Sequence, residues 1–124
     1  DISCGTGSLS KELLKLGFNV TGFDYSFDMV KVARKKLEHN SNAQLWCGDM
    51  MHTAFTQKPD MIVSLYDSMN YLMKSNHWKT CLENVYSSLE SEGLFVFDVS
   101  TLQNSIMMFK ARILRAVDFA SSLN

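Results

Sequence analysis

Asp1-Ile-Ser-Cys-Gly-Thr-Gly7 opens the chain, and its two glycines, one residue apart, decide how everything after them is read. In α/β proteins such a pair is reached from a buried β-strand and turns the chain sharply into a helix. Missing Cβ atoms let a ligand approach the backbone there. Ser8 to Leu16 supply the helix, with an apolar stripe of Leu9, Leu13, Leu14 and Leu16 and with Gly17 where it should stop. Its first turn offers unpaired N–H groups and partial positive charge to an anion.

Strand-like and helical patterns then alternate. Asn19 to Asp24 is a short β-like run. Ser26 can cap a second helix, with Asp28 in its first turn and Met29, Val30, Ala33 and Leu37 on one face. Ala43 to Cys47 is a strand leading into Gly48-Asp49-Met50. Asp60 to Tyr66 suits a buried parallel strand. Asn76 to Leu89 is a helix with Trp78, Leu82, Val85 and Leu89 in register, and Leu94 to Val99 is a strand. Leu102 to about Val117 has helical period through Ile106, Phe109 and Ile113. Strands joined by helical crossovers imply a parallel sheet with helices on both faces. Ligands bind such sheets at the carboxyl ends of the strands. Gly5 to Gly7, Asp24, Asp49, Tyr66 with Asp67, and Asp98 occupy those ends.

Composition narrows the function classes. The chain has 124 residues, enough for one modest domain, with 46% apolar and 20% charged residues. A formal net charge of -1 gives no electrostatic ground for nucleic acid or an anionic membrane as partner. No run of about 20 apolar residues is present, so no transmembrane helix is expected. Cys4, Cys47 and Cys81 are odd in number and widely spaced, which argues for a reducing, cytoplasmic compartment. His39 and His52 have no acidic or cysteine partner at ligand spacing, so no metal is expected.

The strand ends carry the chemistry. Asp24 stands where nucleotide-binding α/β folds put a carboxylate that accepts from both ribose hydroxyls. Together with the glycine loop it fits a nicotinamide or an adenosylmethionine cofactor. Three details separate these. Ser10 replaces the third glycine or alanine of the dinucleotide fingerprint, a small departure. Asp1, just before the loop, could meet a cationic amine and would repel a pyrophosphate. Asp49 offers a carboxylate to an adenine amino group, and Met50 a thioether to its face.

Asp1 to Gly7, Gly22-Phe-Asp24-Tyr-Ser, Gly48-Asp49-Met and Gly93 to Asp98 resemble, in order and spacing, the motifs of class I S-adenosylmethionine-dependent methyltransferases. Tyr66 to Leu72 is similar to a segment of bacterial small-molecule members, including those that methylate amino sugars. The resemblance implies a Rossmann-like domain that binds S-adenosyl-L-methionine and transfers its methyl group to an N or O nucleophile of a small-molecule acceptor by in-line displacement. By that resemblance Gly5 and Gly7 flank the methionine part of the cofactor and Asp1 meets its amino group. Asp24 holds the ribose, Tyr25 lies beside the adenine, and Asp49 and Met50 complete the adenine site. Tyr66 lies near the sulfonium and the entering acceptor, with Asp67 and Tyr71 on the acceptor side. No catalytic base is nominated, since an amine acceptor needs only to be deprotonated.

The family's complete sheet has seven strands in the order 3-2-1-4-5-7-6. Residues 1–100 match its core, with the first strand reduced to its last residue or two and the last two strands without counterpart; 101–124 is unrecognised and expected to be a helical tail. The chain is therefore expected to be a partial domain, inactive by itself, with Leu94 to Val99 left as an exposed parallel edge. A nicotinamide-dependent oxidoreductase and a non-catalytic binding module are the alternative functions.

Overall fold

The computed structural model describes residues 1–52, 55–101 and 112–114. They fall into two units, Asp1–Met50 and Met51–Asn124. The first holds α1 (Ser8–Lys15), β1 (Val20–Asp24), α2 (Phe27–Leu37) and β2 (Ala43–Cys47). Each boundary has a local cause. α1 ends in a Schellman motif: the Phe18 N–H donates to the Leu13 carbonyl at 3.2 Å and the Gly17 N–H to that of Leu14 at 3.0 Å. α2 starts at Ser26, whose Oγ accepts from the Met29 N–H. Its buried face is Val30, Ala33 and Leu37; Met29, expected on that face, is exposed.

β1 is the middle of the first unit's sheet. It runs parallel to β2, with Val20 opposite Ala43 and Asp24 opposite Cys47. Alternate residues turn their main-chain groups to opposite edges. The Val20 N–H donates to the Asn42 carbonyl at 2.8 Å and the Asp24 carbonyl accepts from Gly48 at 2.9 Å, both on the β2 side. Phe23 faces the other way, donating to the Asp1 carbonyl at 3.1 Å and accepting from the Cys4 N–H at 2.9 Å. Ile2, fully buried, forms a parallel bridge with Phe23. Asp1 to Cys4 is thus a short strand end lying against β1. Cys4, Leu14, Val20, Ala33, Leu37 and Leu45 make the core beneath it. Gly22 permits the close approach, since a Cβ there would lie 3.0 Å from the Asp1 carbonyl oxygen and 3.0 Å from Leu45 Cδ2.

The second unit holds β3 (Met61–Ser64), a 3-10 turn (Ser68–Tyr71), α3 (Ser75–Ser88), β4 (Leu94–Phe97) and β5 (Arg112–Leu114). β3 and β4 are parallel, and Ser64 stands opposite Phe97. Cys81, Leu82, Val85 and Leu89 are buried along the α3 segment, and Trp78 meets Phe97 edge-on at 6.2 Å between ring centroids.

Three expectations change here. β3 stops at Ser64, two residues before Tyr66, because the chain turns left-handed there. The expected helix from Leu102 to Val117 fails at Arg112–Leu114, which forms β5, antiparallel to β4; the rest of that span lies outside the described residues. β4 is consequently no exposed edge, since β5 pairs with it from Phe95 to Phe97. Pairing with an edge strand satisfies groups that a helix would have left open, and that overrides the local period.

Gly22→Ala is expected to destabilise the protein by about 1–3 kcal/mol through overpacking. Urea unfolding checks this, and a wild-type midpoint would show that the approach of Asp1 to β1 is looser than described.

Candidate functional site

The glycine loop leaves β-structure at Cys4 and closes a turn in which the Gly7 N–H donates to the Cys4 carbonyl at 2.9 Å. φ is positive at every second residue: 57° at Ser3, 53° at Gly5 and 73° at Gly7. The two glycines serve different purposes. A Cβ on Gly7 would sit 3.0 Å from that of Ala33, so Gly7 lets the start of α1 pack on α2. A Cβ on Gly5 would meet only Met29 Sδ, at 3.6 Å, which leaves this side open to a ligand.

Asp24 ties the loop to β1. Its Oδ2 accepts from the Gly5 N–H at 2.8 Å and its Oδ1 from the Ser26 N–H at 2.9 Å. A carboxylate has about four lone-pair positions, so each oxygen keeps room for one further donor. The side chain is held in place before any ligand arrives, and hydrogen bonds to such a charged group contribute about 1.5–3 kcal/mol each. The main-chain bond from Gly48 to the Asp24 carbonyl brings the start of the Gly48-Asp49-Met50 segment to the same strand end. Asp49 and Met50 are half-buried, and Tyr25 and Phe27, just past the end of β1, are exposed.

Asp1 has a partner that the sequence did not disclose. The Ser10 hydroxyl, fully buried, donates to Asp1 Oδ2 at 2.6 Å. The only available signal was that serine fills the third fingerprint position, read there as a small departure. Cys4 lies within the influence of Asp24. Burial first, and then the charge of that carboxylate, push the Cys4 thiol up to about 11. It is no nucleophile at neutral pH.

Tyr66, Asp67 and Tyr71 belong to the second unit. Tyr66 and Asp67 have φ of 61° and 60°, which costs a non-glycine residue about 1–2 kcal/mol. The Asp98 carboxylate accepts from both of their N–H groups, at 3.0 and 2.9 Å. Asp98 was singled out as a strand-end residue without a role; Ser100 and Asn70, which also hold this loop, were not singled out. Among the described residues no group of three or more His, Cys, Asp or Glu side chains could hold a metal ion.

A parallel sheet, a glycine loop running into a helix and a fixed carboxylate at the next strand end define an α/β domain that binds a nucleotide-type cofactor. The particular family follows from comparison: residues 1–93 match the profile described as methyltransferase domain, and the chain belongs to that family. The Bacillus subtilis protein YqeM is 36% identical over 100 residues, covering 80% of this chain and 40% of that one. A dTDP-3-amino-3,4,6-trideoxy-alpha-D-glucopyranose N,N-dimethyltransferase from Streptomyces venezuelae is 30% identical over 98 residues, covering 79% and 40%. The crystal structure of an S-adenosylmethionine-dependent methyltransferase from Clostridium acetobutylicum superposes with a TM-score of 0.78 at 30% identity, covering 84% and 43%. The chain spans about two fifths of the length of these relatives. S-adenosyl-L-methionine is the family's cofactor.

Iodoacetamide at pH 8 is expected to modify the exposed Cys47 and to spare Cys4. Because the Cys4 value is raised from 9.0 to about 11, its contribution to stability is complete below pH 9 and is lost as pH rises toward 11. Urea unfolding across that window should show a slope that Cys4→Ala removes; an unchanged slope would show that Cys4 ionises as freely in the fold as outside it.

Proposed function

We propose that this chain forms the cofactor-binding region of an S-adenosyl-L-methionine-dependent methyltransferase whose acceptor is a small molecule with an N or O nucleophile. The observation that carries the reading is the Asp24 carboxylate, anchored by Gly5 and Ser26 with acceptor capacity to spare. The residues fit the cofactor: a diol can take the spare positions on Asp24, and the open side of Gly5 admits its chain. When bound, S-adenosyl-L-methionine supplies a methyl carbon that its sulfonium activates for in-line displacement by the acceptor.

The chain's own residues bind and orient. Asp24 receives the ribose hydroxyls, and the two main-chain bonds keep it from swinging away. Asp1, steadied by Ser10, faces the cofactor's ammonium group. Gly5 and Gly7 flank the methionine part, Tyr25 covers the adenine, and Asp49 and Met50 complete its surroundings. Tyr66 serves the sulfonium and acceptor side, with Asp67 and Tyr71 near the acceptor. Alignment of this kind, with water excluded, supplies most of what an in-line transfer needs. The Streptomyces venezuelae relative, named for N,N-dimethylation of a dTDP-amino sugar, supports an amine among the acceptors. A cytoplasmic location suits Cys4, Cys47 and Cys81, none of which is bridged.

Calorimetric titration of the full-length protein with S-adenosyl-L-methionine tests the reading. Asp24→Ala is expected to weaken binding by about 10- to 100-fold, the worth of one or two charge-assisted hydrogen bonds. Asp24→Asn, which keeps one acceptor oxygen, should fall between that variant and wild type. No heat from the wild-type protein, together with enhanced fluorescence of a reduced nicotinamide, would replace this reading by the oxidoreductase alternative.

A further inference from the structure

We infer that Asp98, with Ser100, is a positioning residue for Tyr66: the two hold the loop after β3 in a backbone form that it would not keep by itself, with the Tyr66 phenol turned outward. The inference rests on the reading of Tyr66 given above and adds how that residue is set.

The parallel ladder of β3 and β4 ends where Ser64 stands opposite Phe97. Asp98 is the next residue, and its N–H reaches back to the Ser64 carbonyl at 3.3 Å. Its side chain is only 8% exposed, and burying a carboxylate is costly unless hydrogen bonds compensate. The compensation comes from the Tyr66 N–H on Oδ2 and the Asp67 N–H on Oδ1. Both donors can point at one carboxylate because both residues are left-handed. Glycine at 66 or asparagine at 67 would accept that backbone with less strain, yet the chain places a tyrosine and a carboxylate there.

Ser100 grips the same loop two residues further along. Its hydroxyl donates to Asp67 Oδ1 at 2.9 Å, its N–H donates to Asn70 Oδ1 at 3.0 Å, and its carbonyl accepts from Asn70 Nδ2 at 2.8 Å. From below, Ser68, Met69 and Leu72 are buried. What the fastened loop leaves outside are Tyr66, 79% exposed, and Tyr71, 82% exposed. Strain held by a buried carboxylate, with an aromatic side chain presented at a strand's carboxyl end, is the pattern of a preorganised binding element.

The test uses the full-length protein and two readouts, calorimetry with S-adenosyl-L-methionine and the rate of chymotryptic cleavage after Tyr66. Asp98→Asn is expected to weaken cofactor binding about 5- to 10-fold and to speed that cleavage. Adding Tyr66→Ala should bring no further loss beyond Tyr66→Ala alone, since residues acting as one unit are not additive. Adding Asp67→Gly to Asp98→Asn should restore binding to within about threefold of wild type, because glycine keeps the left-handed turn unaided. If Asp98→Asn does not fold, Ser100→Ala, at an exposed residue, carries the test by removing one bond to Asp67: a smaller population of the fastened loop should appear as about twofold weaker affinity and faster cleavage. Wild-type affinity and cleavage in these variants, or losses from Asp98→Asn and Tyr66→Ala that simply multiply, would overturn the positioning role. Failure of the methyltransferase reading shows separately, as absence of cofactor binding in the wild-type protein.

Discussion

The Asp24 carboxylate has two oxygens and two main-chain partners, and the ordered loops of the first unit are arranged around those bonds. One comes from Gly5, in the turn that precedes α1; the other from Ser26, the cap of α2. A single side chain at the end of β1 therefore fixes the entrance to both helices. Gly7 then seats α1 on α2 at Ala33, and Gly22 lets Asp1 to Cys4 lie close along β1. Displacing the carboxylate would release the turn and the cap together.

The second unit repeats the device with a different geometry. Asp98, one residue past β4, takes two successive N–H groups from the loop after β3. In both units an acidic residue at a strand's carboxyl end collects main-chain donors that the sheet can no longer use. The physical reason is common to the two: where a parallel ladder stops, the next N–H groups need acceptors, and an ionised carboxylate is the strongest one a side chain can offer.

Features decided by neighbours in sequence were legible beforehand. Ser26 as a cap, Gly17 as a stop, and the strands at Ala43 and Leu94 depend on a few adjacent residues, and the structure places each within a residue or two of its expected bounds. Partnerships across the chain were not. Ser10 read as a small deviation from a motif, because nothing local shows that its hydroxyl reaches Asp1. Tyr66 read as the end of a strand, because an apolar run does not disclose that Asp98, 32 residues on, bends it into a left-handed turn. Arg112 to Leu114 carried a helical period that pairing with β4 overrode. Of the candidate site, residue types at strand ends could be read; which oxygen met which donor could not.

Asp24 also bears on how such domains change over evolutionary time. Any lineage that ceased to use the cofactor would still have a structural reason to keep aspartate there, since its two oxygens hold the Gly5 and Ser26 N–H groups. Drift would show first at positions whose side chains face outward and fasten nothing, such as Tyr25 and Tyr66. An aspartate at the end of β1 is thus held by the fold as well as by any ligand it receives.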